Sequence, residues 1–326
     1  MKALITGAGG FVGGHLCQYL LAHTDWDLLG TVYPQQVETQ PTEPRLRLQH
    51  LDLREPEGVQ ALLEKAQPDH VFHLAAQSIP AASFDHPWDT LETNIRSQLN
   101  ILHSVRVLGL RTCILVIGSN EEYGHPKKGD LPFTEESSLR PSSPYAVSKV
   151  TQDLMGLQFH LAYGLDVIRI RPFNHTGPGQ SPQFVIPAFA SQIARIEAGL
   201  QEPVLKVGNL SAARDFSDVR DIVYGYHLAA TKGKPGDVYN LASGQPHKIS
   251  AVLDMLLSFT NVNIRVETDP ERYRPIDVPV VYGSAEKFYQ LTGWVPEFSF
   301  EQTLKDTLDY WREQVKTQTG GSTHAQ

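Results

Sequence analysis

Residues 2–16 read KALITGAGGFVGGHL: a short apolar run, a turn with glycines at 7, 10 and 13, then an apolar periodicity carried on through Leu16, Leu20 and Leu21. The pattern predicts a buried strand, Lys2–Thr6, that turns directly into a helix and so opens a βαβ unit. Residue type matters in the turn. Glycines let the backbone come close to a pyrophosphate, and the first N–H groups of the following helix can bind an anion. Tight turns need glycine anyway, so it is the position at the first strand-to-helix junction that points to a dinucleotide.

Outward from this unit the alternation continues. Strand-like runs recur at Asp27–Val32, Arg47–Leu51, His70–Leu74, Thr112–Gly118 and Asp166–Arg171, with room for a helix between them. Apolar strands alternating with helices predict an α/β fold, a Rossmann-type doubly wound parallel sheet covered on both faces. After Arg171 the texture changes to the Pro- and Gly-rich RPFNHTGPGQSP, the composition of loops around a crevice. A smaller C-terminal α/β substrate domain is expected there, over 172–217 and 242–315. Residues 218–241, a helix from Asp221 to Ala230 followed by DVYNL, are expected to return to the main sheet and join residues 1–171. Val252, Met255, Leu256 and Phe259, and likewise Leu304, Leu308 and Trp311, lie at helical spacing and predict two amphipathic helices in the smaller domain. The polar stretch 316–326 is expected to fray.

Composition excludes several classes. With 326 residues and 41% apolar content the chain can bury a core. Only 28 basic against 36 acidic residues, a net charge of -8, argue against a nucleic-acid binder. No stretch reaches the ~18–20 apolar residues of a membrane span, and no signal peptide opens the chain, so a cytoplasmic protein is expected. Cys17 and Cys113 offer neither a disulfide framework nor metal-ligand spacing. The 13 histidines form no cluster, and His70 and His73 would face opposite sides of one strand, so no metal is expected.

On the dinucleotide side the residues of interest are Gly7, Gly10, Phe11, Val12 and Gly13 in the turn, Asp52 and Leu53 in HLDLRE, and Leu74, Ala75 and Ala76 after HVFH. Asp52 could accept from an adenine amine; the alternative is an ordinary aspartate near a helix start. The small Ala75–Ala76 pair would let a cofactor pass close to a strand end. The second strand, LLGTVYPQQ, lacks the acidic residue that would bind the adenosine ribose of NAD, which tilts the expectation towards NADP(H) over NAD(H). Arg45 and Arg47 are only distant candidates for a 2′-phosphate.

Three further residues carry chemistry. Tyr145 and Lys149 in PSSPYAVSKV share one face of a helix begun at Pro144. An ammonium near a phenol lowers its pKa towards neutrality, so that the phenol can exchange a proton with a carbonyl or alcohol. Ser119 follows the apolar CILVIG, at the strand end where open α/β sheets bind ligands, and could hold the same oxygen. Glycine turn, strand-end serine and Tyr-x-x-x-Lys, in this order, indicate hydride transfer.

With these residues in view, the chain resembles the extended short-chain dehydrogenase/reductases, the NAD-dependent epimerase/dehydratase family, over nearly its full length. The resemblance implies a Rossmann domain and a sugar-nucleotide domain, Tyr145 as acid/base with Lys149 as partner, Ser119 on the substrate oxygen, and Asn94 as a helix residue keeping the site in order. Within the family it is similar to enzymes of GDP-mannose conversion through FNHTGPGQ, VGNLSAARDFSDVRDIV, GDVYNLASG and ERYRPIDVP. These imply a GDP-sugar substrate: Arg214 and Arg274 suit its diphosphate, Asp277 its ribose, Lys206 its guanine edge, and Asn174 and His175 the sugar or cofactor phosphates. Reduction of the C4 ketone of GDP-4-keto-6-deoxy-D-mannose is the favoured activity. A 4,6-dehydratase, which needs another acid/base, is the alternative. Asn120 removes one carboxylic acid found in dTDP-glucose-type dehydratases, yet Glu121 remains, and the GDP-mannose dehydratases rely on a glutamate there. A 4-epimerase and a non-catalytic dinucleotide-binding regulator are further rivals. A homodimer or homotetramer is implied by the family alone.

Overall fold

The computed structural model describes residues 1–36, 43–272 and 278–320. Its first half alternates β1 (Lys2–Thr6), α1 (Phe11–His23), β2 (Asp27–Val32), β3 (Leu46–His50), α2 (Pro56–Ala66), β4 (His70–His73), α3 (Ala82–Asp85), α4 (Pro87–Leu108), β5 (Cys113–Ile117), α5 (Pro144–Tyr163) and β6 (Val167–Pro172). The second half holds β7 (Asn174–Thr176), α6 (Val185–Glu197), β8 (Val204–Val207), β9 (Ala213–Asp218), α7 (Val219–Lys232), β10 (Val238–Leu241), β11 (Pro246–Lys248), α8 (Ile249–Ser258), β12 (Arg265–Thr268), β13 (Val280–Val281), α9 (Glu286–Thr292) and α10 (Phe300–Gly320). The six expected strands of the main sheet all occur, with ends shifted by at most a residue or so, as fraying ends do. Helix α10 continues beyond Lys316 to Gly320, so the first residues of the polar stretch expected to fray are helical.

Seven strands form one sheet in the order β10-β6-β5-β4-β1-β2-β3, every neighbouring pair parallel. The segment ending in DVYNL does return to this sheet, with β10 alongside β6. The strands are apolar on both sides because helices cover both faces. One face packs α1 and α7 over Ile5, Phe72, Leu115 and Ile170. The other packs α2, α4 and α5 over Leu4, Val71, Ile114 and Val116. The chain runs outward from β1 in one direction and then, from β4, in the other. The switch between β1 and β4 leaves a crevice at their carboxyl ends, where open α/β sheets bind ligands.

A second body of structure gathers beyond those ends. Strands β7, β11 and β13 pair with β9, β8 pairs with β12, and α6, α8 and α10 close over them. Its core includes Phe189, Ile193, Leu205, Phe216, Val252, Leu256, Leu304 and Leu308, with Met255, Phe259 and Trp311 packed against it, so both expected amphipathic stripes face inward. A small cluster of Tyr123, Phe133, Phe173, Ala242 and Val281 joins the segment between β5 and α5 to this side of the crevice. No helix among the described residues is long and apolar enough to cross a membrane.

Candidate active site

A cleft of about 850 Å³ runs along the carboxyl ends of the sheet strands, from Gly7, Tyr33, Gln36, Asp52 and Arg54 to Ser119, Tyr145 and Lys149. At its centre the glycine turn is shaped by close backbone packing. Gly7 has φ +71°, and a Cβ there would meet the Ala75 backbone at 3.0 Å; a Cβ on Gly13 would sit 2.1 Å from the Gly7 carbonyl oxygen. Gly10 precedes α1 and no side chain caps that helix, so its first N–H groups are left to an outside acceptor. Thr6 ties the turn to β4: its hydroxyl lies 2.9 Å from His73 Nδ1 and accepts from the Ala75 N–H at 3.1 Å. An uncapped helix end beside a long cleft is the fit a dinucleotide pyrophosphate requires.

Every residue singled out on the dinucleotide side lines this cleft: Gly7, Gly10, Phe11, Val12, Gly13, Asp52, Leu53, Leu74, Ala75 and Ala76. Asp52, however, already accepts from the Arg54 guanidinium at 2.6 and 3.0 Å, which holds its carboxyl below the ordinary range. Arg54, overlooked in the sequence because it sits three residues beyond the strand pattern, is the arginine that this end of the cleft presents, and it also reaches the Tyr33 hydroxyl at 3.3 Å. Arg45 is engaged elsewhere, donating to the Leu21 and Thr24 carbonyls at the end of α1.

At the other end Ser119 leaves β5 and starts a short 3-10 turn, Asn120–Glu122. Its hydroxyl accepts from the Glu121 N–H at 3.1 Å. Pro144 begins α5, and Ser143 caps it by accepting the Ala146 N–H at 3.0 Å. This puts Tyr145 in the first turn and Lys149 one turn later, both buried. Lys149 Nζ donates to the Ile117 carbonyl at 2.9 Å and lies 5.9 Å from the Tyr145 ring centre. Asn94, from α4, fixes the array: its Nδ2 donates to Ser148 Oγ at 2.9 Å and its Oδ1 accepts the Gln77 N–H at 2.7 Å.

The electrostatics depart from the sequence expectation. The Tyr145 phenol is pushed up, not down: burial and the Glu121 carboxylate raise it, and the Ser119 hydroxyl only partly offsets them. Lys149 is pushed down to about 8 by burial, with Glu122 opposing. Burial is the largest influence on the phenol, and the Lys149 ammonium, which donates to the Ile117 carbonyl, does not reverse it. A phenol so raised holds its proton at neutral pH.

Asn174 and His175 line the cleft from the short strand β7 rather than from a loop. His175 packs parallel to Phe11 with ring centres 6.4 Å apart. Glu121 lies at the same end, and Arg214 lines a smaller adjoining pocket with Asn120, Glu121 and Asn174. Lys206 is different: it is exposed on β8 and lines neither cavity. Arg274 and Asp277 lie outside the described residues. Gln180, Ser181, Gln183, Phe184 and Tyr226 also line the cleft. Only the Pro- and Gly-rich texture around 177–183 signalled the first three. Among the described residues no group of three His, Cys, Asp or Glu side chains could hold a metal.

Comparison with known proteins joins these observations. Residues 4–307 match the family model described as GDP-mannose 4,6 dehydratase. The chain belongs to this family. It is 37% identical to the GDP-6-deoxy-D-mannose reductase of Pseudomonas aeruginosa over 97% of this chain and 98% of that protein. It is 30% identical to GDP-mannose 4,6 dehydratase 2 of Arabidopsis thaliana over 94% of this chain and 86% of the plant protein. The solved structure of RMD from Pseudomonas aeruginosa complexed with NADPH superposes with a TM-score of 0.85 at 36% identity, covering 96% of this chain and 99% of the other. Members of this family thus include both a reductase and dehydratases, and what separates them must be read from the residues around Ser119.

Proposed function

We propose that the protein reduces the C4 ketone of GDP-4-keto-6-deoxy-D-mannose to a GDP-6-deoxyhexose. The observation that carries this reading is the buried Tyr145 phenol, held protonated beside Ser119 at the end of the cleft. Asn120 supports it, because an amide stands where a second carboxylic acid would serve elimination; its Nδ2 meets Asn174 Oδ1 at 3.4 Å. A reduced nicotinamide bound along the cleft would supply the hydride for C4. As the carbonyl electron pair moves onto oxygen, Tyr145 gives that oxygen its proton and becomes a phenolate. The Ser119 hydroxyl donates to the same oxygen and stabilises its developing charge. The Lys149 ammonium stabilises the phenolate until water returns the proton.

NADPH is the proposed cofactor in preference to NADH. The end of β2 carries no carboxylate, and the Arg54 guanidinium lines that part of the cleft. The proposed division is a dinucleotide domain of residues 1–171 with 218–241, and a sugar-nucleotide domain of 172–217 with 242–315, in which Asn174, His175 and Arg214 meet the GDP-sugar. A homodimer is proposed through α4 and α5, whose Leu99, Val147, Leu154, Leu161 and Tyr163 are exposed. Cys17 and Cys113 form no disulfide, which suits a reducing cytoplasm.

The test mixes purified protein with NADPH and GDP-4-keto-6-deoxy-D-mannose and follows both nicotinamide absorbance and the sugar. One GDP-6-deoxyhexose per NADPH consumed is expected. The 4,6-dehydratase is the second reading, favoured by the Glu121 carboxylate in the same cleft. Conversion of GDP-mannose without net consumption of NADPH would establish it instead.

A further inference from the structure

Glu122 has no part in the chemistry described so far, yet it is fully buried, with 0% of its surface exposed. Taking a carboxylate out of water costs several kcal/mol unless its surroundings compensate. Here they do so in a directed way. Oε1 accepts the Ser119 N–H at 2.7 Å, and Oε2 lies 3.2 Å from Arg171 Nε. Room for this fold-back exists only because residue 118 is glycine: a Cβ there would sit 2.2 Å from Oε1. Oε1 thus takes a hydrogen bond, whereas Oε2 takes none and meets the Arg171 guanidinium through charge alone, because the Arg171 Nε hydrogen goes to Asp153 Oδ2 at 2.9 Å; a carboxyl set against a buried cation is favoured in its ionised form.

The surrounding charge explains why an anion belongs there. Arg169 and Arg171 enter from β6 and Lys149 from α5, three cations, all buried. Asp153, also from α5, is engaged by Arg169 at 2.7 Å and by Arg171 at 2.9 Å. Asp153 is thus taken up by the two arginines, and Glu122 is the second buried carboxyl of the cluster and the one whose charge acts on Lys149.

We propose that Glu122 is a positioning residue for the reaction: its buried charge is the counter-charge of the Lys149 ammonium, and its hydrogen bond to the Ser119 N–H fixes the turn carrying the Ser119 hydroxyl. This rests on the reading of Ser119, Tyr145 and Lys149 given above. Burial drives Lys149 down and Glu122 opposes it. Glu122 is itself raised by burial and by Asp153, and drawn back by Arg171, the Ser119 N–H and Lys149. The other titratable groups turned towards the pair are His73 on β4, neutral through burial and the charge of Lys149, and Tyr145, raised further by Glu121 and Glu122. Tyr123, beside Arg171, is also raised by its burial. Without the Glu122 charge, Lys149 keeps only the effect of burial and loses its proton at lower pH; the Tyr145 phenol, relieved of a nearby anion, also ionises at lower pH. Both changes move the alkaline loss of activity in the same direction.

Two variants separate charge from contact. Glu122→Gln keeps an oxygen able to accept from Ser119 and removes the charge; Glu122→Asp keeps the charge and withdraws the contact by one methylene. Steady-state kcat and kcat/KM for the ketone reduction are measured against pH, alongside thermal unfolding. In Glu122→Gln the alkaline limb should move about one pH unit lower. In Glu122→Asp the limb should stay where it is while kcat falls about tenfold, in keeping with a lost hydrogen bond to a charged group. An unmoved limb in Glu122→Gln, or an unchanged kcat in Glu122→Asp, overturns the proposal, and the second variant carries the test even where the first does not fold. Absence of turnover by the wild-type protein would instead sink the reductase reading. The pH dependence of NADPH dissociation for wild type and Glu122→Gln then replaces the rate profile, and coincident curves there overturn the role of Glu122.

Discussion

Replacing Arg54 by Gln tests which nicotinamide dinucleotide the cleft is built for. In the protein alone the guanidinium binds Asp52 through Nε at 3.0 Å and Nη2 at 2.6 Å, with side-chain exposures of 33% and 21%. An ion pair this open contributes roughly 0–1 kcal/mol to folding, so the thermal midpoint should barely move. A 2′-phosphate at the same guanidinium would gain a charge-assisted hydrogen bond of about 1.5–3 kcal/mol. At about 1.4 kcal/mol per tenfold, NADPH should bind roughly 10- to 100-fold more weakly to Arg54→Gln. NADH has no such phosphate and should change by no more than a few-fold. Titration of reduced-nicotinamide fluorescence with both cofactors, at low and high salt, reads the difference, and the wild-type preference should itself shrink as salt screens the half-exposed charge. Equal weakening of NADPH and NADH, or none, would refute the reasoning and return the cofactor preference to some other feature of the cleft.

Tyr145→Phe should lower the single-turnover rate of ketone reduction by about 10²–10⁴, the range of a positioned proton donor, while NADPH affinity changes only a few-fold. Gly13→Ala forces a Cβ to 2.1 Å from the Gly7 carbonyl oxygen, so NADPH affinity and thermal stability should both fall. Gly109→Ala, where a Cβ meets nothing within 4 Å but φ is +62°, should cost only about 1 kcal/mol of stability and leave NADPH binding intact. Acid should destabilise the protein through His73, which burial and Lys149 push from 6.5 to about 3. Its contribution is complete above the unfolded value and is lost as pH falls from 6.5 towards 3, at up to about 1.4 kcal/mol per pH unit. Urea unfolding at a series of pH values should show this slope, and His73→Gln should flatten it.

The residues 2–16 and the strand-like runs that follow them determined the parallel sheet, because a buried strand between covering helices must be apolar throughout and needs no distant information to be recognised. The same holds for Ser119 at a strand end, for Tyr145 and Lys149 one helical turn apart, and for the stripes through Val252, Leu256, Leu304 and Leu308: local periodicity fixes which side chains share a face. Charge state and access are decided by what the fold brings near. The direction of the Tyr145 shift follows from burial and from Glu121, which the Tyr-x-x-x-Lys spacing does not contain. Arg54 reaches the cleft only because β3 lies beside β2 at the edge of the sheet, and Lys206 misses it because β8 pairs with β12 away from the main sheet and turns Leu205 and Val207 into the smaller core, leaving Lys206 exposed. Glu122 reads in the sequence as one more acid after Ser119. Only the meeting of β5, β6 and α5 makes it a buried anion among three cations, since desolvation and Coulomb energies depend on distances through space that no local pattern encodes.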